Sequence, residues 1–446
     1  MHIKLIAEQP PSHIKVTIKA EGPLLFSERK PGGIFQQSLP YVPGSVLRGA
    51  LAALELGGQK HELPHEGEDC QFCQLFLNDG AAVFTNAYPV RDSTDEVQVL
   101  PATAVSCKNN SGFLPPMSVS GKKDKDSPHG VFDTLIERFC WEMLQPSAFV
   151  YSPNCPVCRG RVEAYKGFYV RHNHGDYGAH YHKRDVDQRL LTRVAINRRR
   201  MVAEDGLLYS PFVISQTIEL DKRERDKKAG ENEEPTHTQT RFVGHVWGLP
   251  QDYTDKLKTI ATLGGSSSRG LGHVTIEAEI VPENGQHWQT IRERVEVLDA
   301  EIGEVWKLFR KSGGRDIAKE GIYFTIGLWA DAVLHTRDGL PTMVFDAEML
   351  KDATGIAATL VRSYASYGYS GGWQSAWGLP KPAEVLARCG SVYVFRAEEL
   401  TEADYRALAA LEIAGIGART TEGYGQVRVS DEFHLKRRGP NEQSEE

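Results

Sequence analysis

A chain of 446 residues is long enough for two or three domains of about 150 residues, each able to bury a core without disulfide staples. Its 52 basic and 59 acidic residues leave a net charge of −7, which excludes a uniformly basic nucleic-acid coat and confines any RNA or DNA site to a patch. Seven cysteines are too sparse for a disulfide framework and no apolar run approaches the roughly 18 residues of a membrane helix, so a cytoplasmic protein that spans no membrane is expected. Residues 1–7, interrupted by Lys4, lack the long apolar region of a signal peptide.

In chain order, Ile14, Val16 and Ile18 alternate with Lys15, Thr17 and Lys19, the period of a strand with one buried face. After a loop through Pro31, Gly32 and Gly33, residues 46–56 place Leu47, Ala50, Leu51 and Leu54 at helical spacing, with Ser45 positioned to cap. Strands are expected over 82–90, 242–247 and 274–280, and a helix over 131–144. Segments 121–126 and 221–234 are charge-dense and read as mobile loops. Residues 283–314 read as a helical connector, and a second α+β unit starts at Ile322. The expected division is 1–281 with an insertion over about 60–190, a connector at 282–320, a second domain at 321–435 and a tail at 436–446.

The 42 glycines exceed the usual share of about 7%. Many fall in two loops that echo one another. Gly264, Gly265, Arg269, Gly270 and Gly272 precede one alternating strand; Gly415, Gly417, Arg419, Gly423, Tyr424 and Gly425 precede another. Glycine admits positive φ and close backbone approach, so amide groups can converge on phosphate while an arginine adds a charged fork. A tight packing turn is the alternative for either loop. Neither loop is a nucleotide fingerprint, because each opens a strand rather than a helix.

Residues 183–200 hold Lys183, Arg184, Arg189, Arg193, Arg198, Arg199 and Arg200 against Asp185 and Asp187 alone. With Asn197 at the start of the final basic run and an apolar strand after it, the segment reads as a basic hairpin that contacts RNA, a solvated face being the alternative. Arg48, near a helix N-terminus, adds a candidate phosphate ligand. Tyr364, Tyr367, Tyr369, Trp373 and Trp377 could stack bases or line a core.

Cys70-x-x-Cys73 and Cys155-x-x-Cys158 have the spacing of zinc knuckles, and together they make a four-thiolate structural zinc site. Cys107, Cys140 and Cys389 are isolated and fit core packing. His172, His174, His180 and His182 crowd one stretch without a standard ligand pattern, leaving a surface loop, a metal site or acid/base groups as readings.

Tyr41-Val-Pro-Gly-Ser-Val-Leu-Arg-Gly-Ala-Leu51 resembles the N-terminal motif of the RAMP superfamily of CRISPR-associated proteins, and Cys70-x-x-Cys73-x-Leu75-Phe76 with residues 84–89 resembles its continuation. Residues 193–209 are similar to the segment that precedes a central hairpin in that superfamily. Gly372-Trp373, Trp377-Gly-Leu-Pro-Lys-Pro382, Gly390-Ser-Val-Tyr393 and residues 415–427 resemble its Csx-ten type, a Cas-five-like subunit of type III-D systems. The resemblance implies an α+β protein of tandem ferredoxin-like (RRM-like) domains. It also implies a subunit that binds the 5′ handle of a CRISPR guide RNA beside the large polymerase-like subunit, meeting target RNA indirectly. Arg193 stands where a processing member would carry its histidine, so a non-catalytic role is expected; a metal-independent endoribonuclease and a protein scaffold are the competing readings.

Overall fold

The structure, a computed structural model, describes residues 6, 11–27, 35–58, 61, 70–78, 81–114, 127–173, 179–219, 237–282, 285–371, 373–374 and 378–437. The charged segments 121–126 and 221–234, His174, Gly372, Trp377 and the end of the tail lie outside the described residues.

The first half contains β1 (His13–Ala20), α1 (Gly44–Leu56), β2 (Val83–Phe84), β3 (Tyr88–Val90), β4 (Arg241–Trp247), α2 (Tyr253–Lys258) and β5 (Val274–Ile280). β1 lies between β5 and β4, antiparallel to both, and β2 and β3 extend the sheet from the far edge of β4. The alternation at Ile14, Val16 and Ile18 directs these three side chains into the core, where they meet Leu47 and Leu51 of α1 and Tyr253 and Leu257 of α2. Where one strand was expected over 82–90, two short strands pair with β4. Between them Asn86 turns away, and its side chain accepts the Gly44 amide at 2.9 Å. That bond also replaces the expected Ser45 cap: α1 begins at Gly44, preceded by Pro43, with no side-chain cap of its own.

The second half contains α3 (His287–Lys311), β6 (Ile322–Leu328), α4 (Ala347–Thr354), β7 (Ala358–Tyr364), β8 (Val392–Ala397), α5 (Glu402–Ala414) and β9 (Val427–Val429). Its sheet runs β7-β8-β6-β9, so in each half the strand order is fourth, first, third, second. Thr401 and Asp404 form a capping box that starts α5. One face of this sheet packs Phe324, Ile326 and Phe395 on Leu350, Leu408 and Leu411. The other face presents Tyr323, Val392 and Val394 to Leu298, Ile302 and Trp306 of α3 and to Phe139 of the helix Leu135–Leu144, so both faces are covered. The helix expected over 131–144 is therefore split: Val131–Asp133 is a strand, and Asp133 accepts the Leu135 amide where the helix begins.

Both halves carry an insertion at the same step, between the second and third strands. In the first it spans most of residues 91–240 and includes two three-stranded sheets and the hairpin Arg193–Asn197/Val202–Ile214. In the second it holds Tyr367–Ser370 paired with Glu384–Ala387 and a small extension at Trp373–Gln374. A buried ion pair fastens the first insertion to the C-terminal segment: His434 Nδ1 lies 2.6 Å from Asp133 Oδ2, with both side chains closed to solvent.

Burial alone would lower the His434 pKa, but the Asp133 carboxylate outweighs it and holds the imidazole above its ordinary range. A group whose pKa is raised on folding contributes stability that is full below its unfolded pKa and is lost as pH rises through the folded one. The unfolding midpoint of the wild type, scanned upward from pH 6, should therefore include a decline that His434→Gln removes. A second expectation concerns Gly44, where a Cβ would overlap the Phe84 carbonyl oxygen. Gly44→Ala should cost roughly 1–3 kcal/mol in denaturant unfolding, the range for overpacking, whereas Gly49→Ala, which meets open space, should not destabilise.

Candidate nucleic-acid interface and metal-ligand clusters

The two glycine loops superpose in backbone pattern. Positive φ occurs at Gly264, Ser266, Gly270 and Gly272 in one and at Gly417, Arg419, Gly423 and Gly425 in the other, with identical spacing. Each surrounds a short 3-10 turn, Ser267–Arg269 or Thr420–Glu422. Gly265 and Gly272 donate to Leu25 and Pro23, just as Ala418 and Gly425 donate to Val333 and Asp331. In this register the two arginines are not equivalent, since Arg269 aligns with Glu422 and Arg419 with Ser266. In the first loop, the amides of Arg269, Gly270 and Leu271 also donate within the turn, so the loop meets solvent chiefly through side chains.

The first loop adjoins the basic hairpin. The Arg193 guanidinium donates to the Arg269 carbonyl, and the Arg269 guanidinium lies 5.0 Å from the centre of the Tyr209 ring. At the hairpin tip, the Asn197 side chain accepts the Arg199 and Arg200 amides at 3.1 and 3.0 Å, and Met201 adopts a left-handed backbone. This turn leaves Arg198, Arg199 and Arg200 exposed at the hairpin tip. The structure thus joins Arg193 of the hairpin to Arg269 of the loop, with Tyr209 as an aromatic member the sequence did not single out; Gly264, Gly265 and Gly270 are exposed in the same loop, Gly272 is buried, and Asn197, Arg198, Arg199 and Arg200 lie at the hairpin tip.

The second loop is placed differently. Gly423 sits against the Asn86 side chain and the Phe84 carbonyl, so the loop closes on the Pro43-Gly44 turn of the first half. Arg419 pairs with Glu384 and Glu422 at 2.8 Å each and lies over the Tyr424 ring at 4.5 Å. Burial opposes its charge, but Glu422, Tyr424 and Glu384 more than compensate and raise its pKa. Arg48 donates to the Phe76 carbonyl beneath the same contact and is half-buried. Gly423, Arg419 and Arg48 therefore belong to a junction of the halves with the arginine charge met by carboxylates, while Gly415, Gly417 and Gly425 pack within the second half and Tyr424 lies beneath Arg419. Trp373 lies in a short strand of the second insertion, where Tyr367 and Tyr369 are exposed and pack edge to face at 5.9 Å.

The cysteine pairs do not share a site. Cys155 and Cys158 converge with Cys107 and His129, with all four ligand atoms within 4.8 Å of one another. Cys70 and Cys73 converge instead with His61. This corrects the four-thiolate arrangement and removes Cys107 from the core-packing residues. The physical reason lies in the sheet Ala104–Cys107/Val131–Asp133/Val162–Ala164, whose registers bring the end of its first strand beside the Cys155 turn. Cys107 Sγ is 3.6 Å from Cys158 Sγ, and Cys155 Sγ is 3.4 Å from His129 Nδ1. A tetrahedron with Zn–S bonds of about 2.3 Å has edges of about 3.8 Å, so these separations fit one ion. The Val157 and Cys158 amides point at the Cys155 sulfur, those of Asn109 and Asn110 at the Cys107 sulfur, and Gly160 leaves room for Cys158. Sequence reasoning missed both histidines: His61 stands nine residues before Cys70 outside any ligand spacing, and His129 is delivered by the tertiary register.

The histidine-rich stretch forms the antiparallel pair Phe168–Asn173/Ala179–Arg184, with His172 opposite His180. His172 Nε2 is 3.5 Å from Asp95, whose other oxygen accepts Arg184 at 2.9 Å. Arg184 is thus a buried member of the basic run. On the less covered face of the first sheet, His13 stacks on Trp247 and lies 2.8 Å from His245. Burial lowers the His13 pKa to about 4, and burial with His13 and Lys15 nearby lowers that of His245 to about 3, so both rings are neutral at pH 7. Arg184→Ala, which strands a buried carboxylate, should lose on the order of 3 kcal/mol of stability, while Arg198→Ala should leave the unfolding midpoint at the wild-type value.

Comparison with curated proteins returned no match. Among solved structures, the chain is similar to one from the type III-B Cmr-beta complex bound to cognate target RNA and AMPPnP, at 10% identity and a TM-score of 0.39, over 85% of this chain and 86% of that one. A chain of the apo Cmr-beta complex is 12% identical, with a TM-score of 0.25 over 61% of this chain and 98% of that one. Thermus thermophilus Cas6 is 12% identical, with a TM-score of 0.23 over 43% and 75%. The sequence profile of the RAMP superfamily matches residues 17–275, more than half of the chain and the whole span from β1 into β5. On that match, the chain belongs to the RAMP superfamily.

Proposed function

We propose that this protein is a non-catalytic guide-RNA-binding subunit of a type III CRISPR effector complex, built from tandem ferredoxin-like domains. The strand order shared by the two halves supports that architecture, and membership of the RAMP superfamily supports the RNA partner. The observation that carries the reading is the contact of the basic hairpin with the first glycine loop, through Arg193, Arg269 and Tyr209, in an acidic chain. There Arg193, Arg198, Arg199, Arg200 and Arg269 neutralise phosphates, and Tyr209 offers a ring beside them. The sequence resemblance of the second half favours the Csx-ten type of a type III-D complex, positioned at the 5′ handle of the guide beside the large subunit. Cytoplasmic residence and indirect contact with target RNA follow from that role.

The donor set Cys107, His129, Cys155 and Cys158 suits a structural zinc, since three thiolates and an imidazole close a tetrahedron without an open position. Bound there, zinc supplies a fixed crosslink. The residues themselves join the Cys155 turn to the sheet that bears Asp133, and so to the His434 ion pair.

Replacing Arg198, Arg199 and Arg200 together by alanine should weaken guide-RNA binding and flatten the dependence of log K on log salt by about 2, at roughly 0.7 per phosphate contact on a single strand. Filter binding across a salt series measures both. Unchanged affinity and slope would reject the interface.

A further inference from the structure

We infer that the chain carries a second, independent zinc centre, held by His61, Cys70 and Cys73. His61 Nε2 lies 3.4 Å from Cys70 Sγ and 3.6 Å from Cys73 Sγ, and the three ligand atoms fall within 4.8 Å of one another. These are the edges of a tetrahedral face for an ion with Zn–S bonds of about 2.3 Å and Zn–N bonds of about 2.0–2.1 Å. The Cys73 amide points at the Cys70 sulfur at 3.5 Å, the arrangement that stabilises a thiolate at the start of a knuckle. Two thiolates and an imidazole favour zinc over hard cations such as magnesium or calcium, which take oxygen donors.

The surroundings hold the trio in place. Cys73 is buried, the His61 ring packs on Phe72 at 4.7 Å, and Phe72 and Phe76 lie against the first-half core. Cys73 lies in the short helix Gln71–Phe76, and at its end Arg48 of α1 donates to the Phe76 carbonyl. The ion would pin residue 61, just past the end of α1, to the helix that Arg48 already grips. Nothing in this geometry involves the Cys107 group, so the two centres load separately. Among the described residues, four ligands gather at the Cys107 group and three at the His61 group.

The test is zinc stoichiometry and release in the full-length chain purified under reducing conditions. Wild type should hold two equivalents by elemental analysis and release them to a colorimetric chelator in a fast and a slow phase. C70S/C73S should remove the fast equivalent alone, and C155S/C158S the slow one alone. With Co2+ in place of zinc, the thiolate charge-transfer band of C70S/C73S should fall to about three fifths, since two of five thiolates are lost. H61C, which keeps a soft donor, should retain two equivalents where H61A holds one. A wild type with one equivalent that survives C70S/C73S overturns the second centre and leaves the four-ligand site standing; one equivalent lost only in C70S/C73S does the reverse. One equivalent lost in both double variants would return the pairs to a single shared ion and overturn the proposal.

Discussion

The two halves meet at a backbone contact in which no large side chain takes part, set beside the apolar packing of Phe139 and Tyr88 against the second half. Gly44 lies so close to the Phe84 carbonyl that nothing beyond hydrogen fits, its amide is taken by Asn86, and Gly423 of the second half rests on the same Asn86 oxygen. Around this point the chain places its charges in opposition, with Arg48, Arg419 and Lys381 facing Glu384 and Glu422. Tyr88 adds a hydrogen bond from its hydroxyl to the Trp329 carbonyl. Backbone shape fixes the approach, and the half-buried ion pairs form its rim.

That junction explains why two loops of one conformation do different things. The loop that docks has a carboxylate, Glu422, where the exposed loop has Arg269, and an arginine where the exposed loop has Ser266. The same asymmetry extends to the sheets. The second is covered on both faces by helices, while the first keeps a polar face with Lys15, Lys19 and the neutral His13–His245 pair. Basic residues are sorted likewise, Arg184 into a buried pair with Asp95 and Arg198 to Arg200 onto an open turn.

Much of the frame was legible in the sequence because it rests on local periodicity. The alternation at Ile14, Val16 and Ile18, the strand Val274–Ile280, the long helix after residue 283 and the start of the second unit at Ile322 all follow from spacing. What spacing could not supply was anything decided between distant segments. Asn86 rather than Ser45 serves the start of α1, 42 residues away. The zinc-knuckle pairs were visible as pairs, yet their partners, His129 and Cys107 for one and His61 for the other, depend on sheet register and on the path after α1. The arginines of the glycine loops looked equivalent by proximity, and only the φ pattern shows them offset.

Because the 25-residue helix α3 joins the halves covalently, the Gly44–Asn86–Gly423 meeting is an intramolecular event. Between separate chains, such a contact would have to offset several kcal/mol of lost translational and rotational freedom, which usually calls for aromatic anchors and broad apolar area. Tethering supplies an effective concentration that does not fall on dilution, so this close backbone contact and its ion pairs form readily beside the apolar packing of Phe139 and Tyr88 on the second half. The halves can thus stay in register at the lowest protein concentrations in a cell, with the apolar contacts of Phe139 and Tyr88 against the second half kept covered at any dilution.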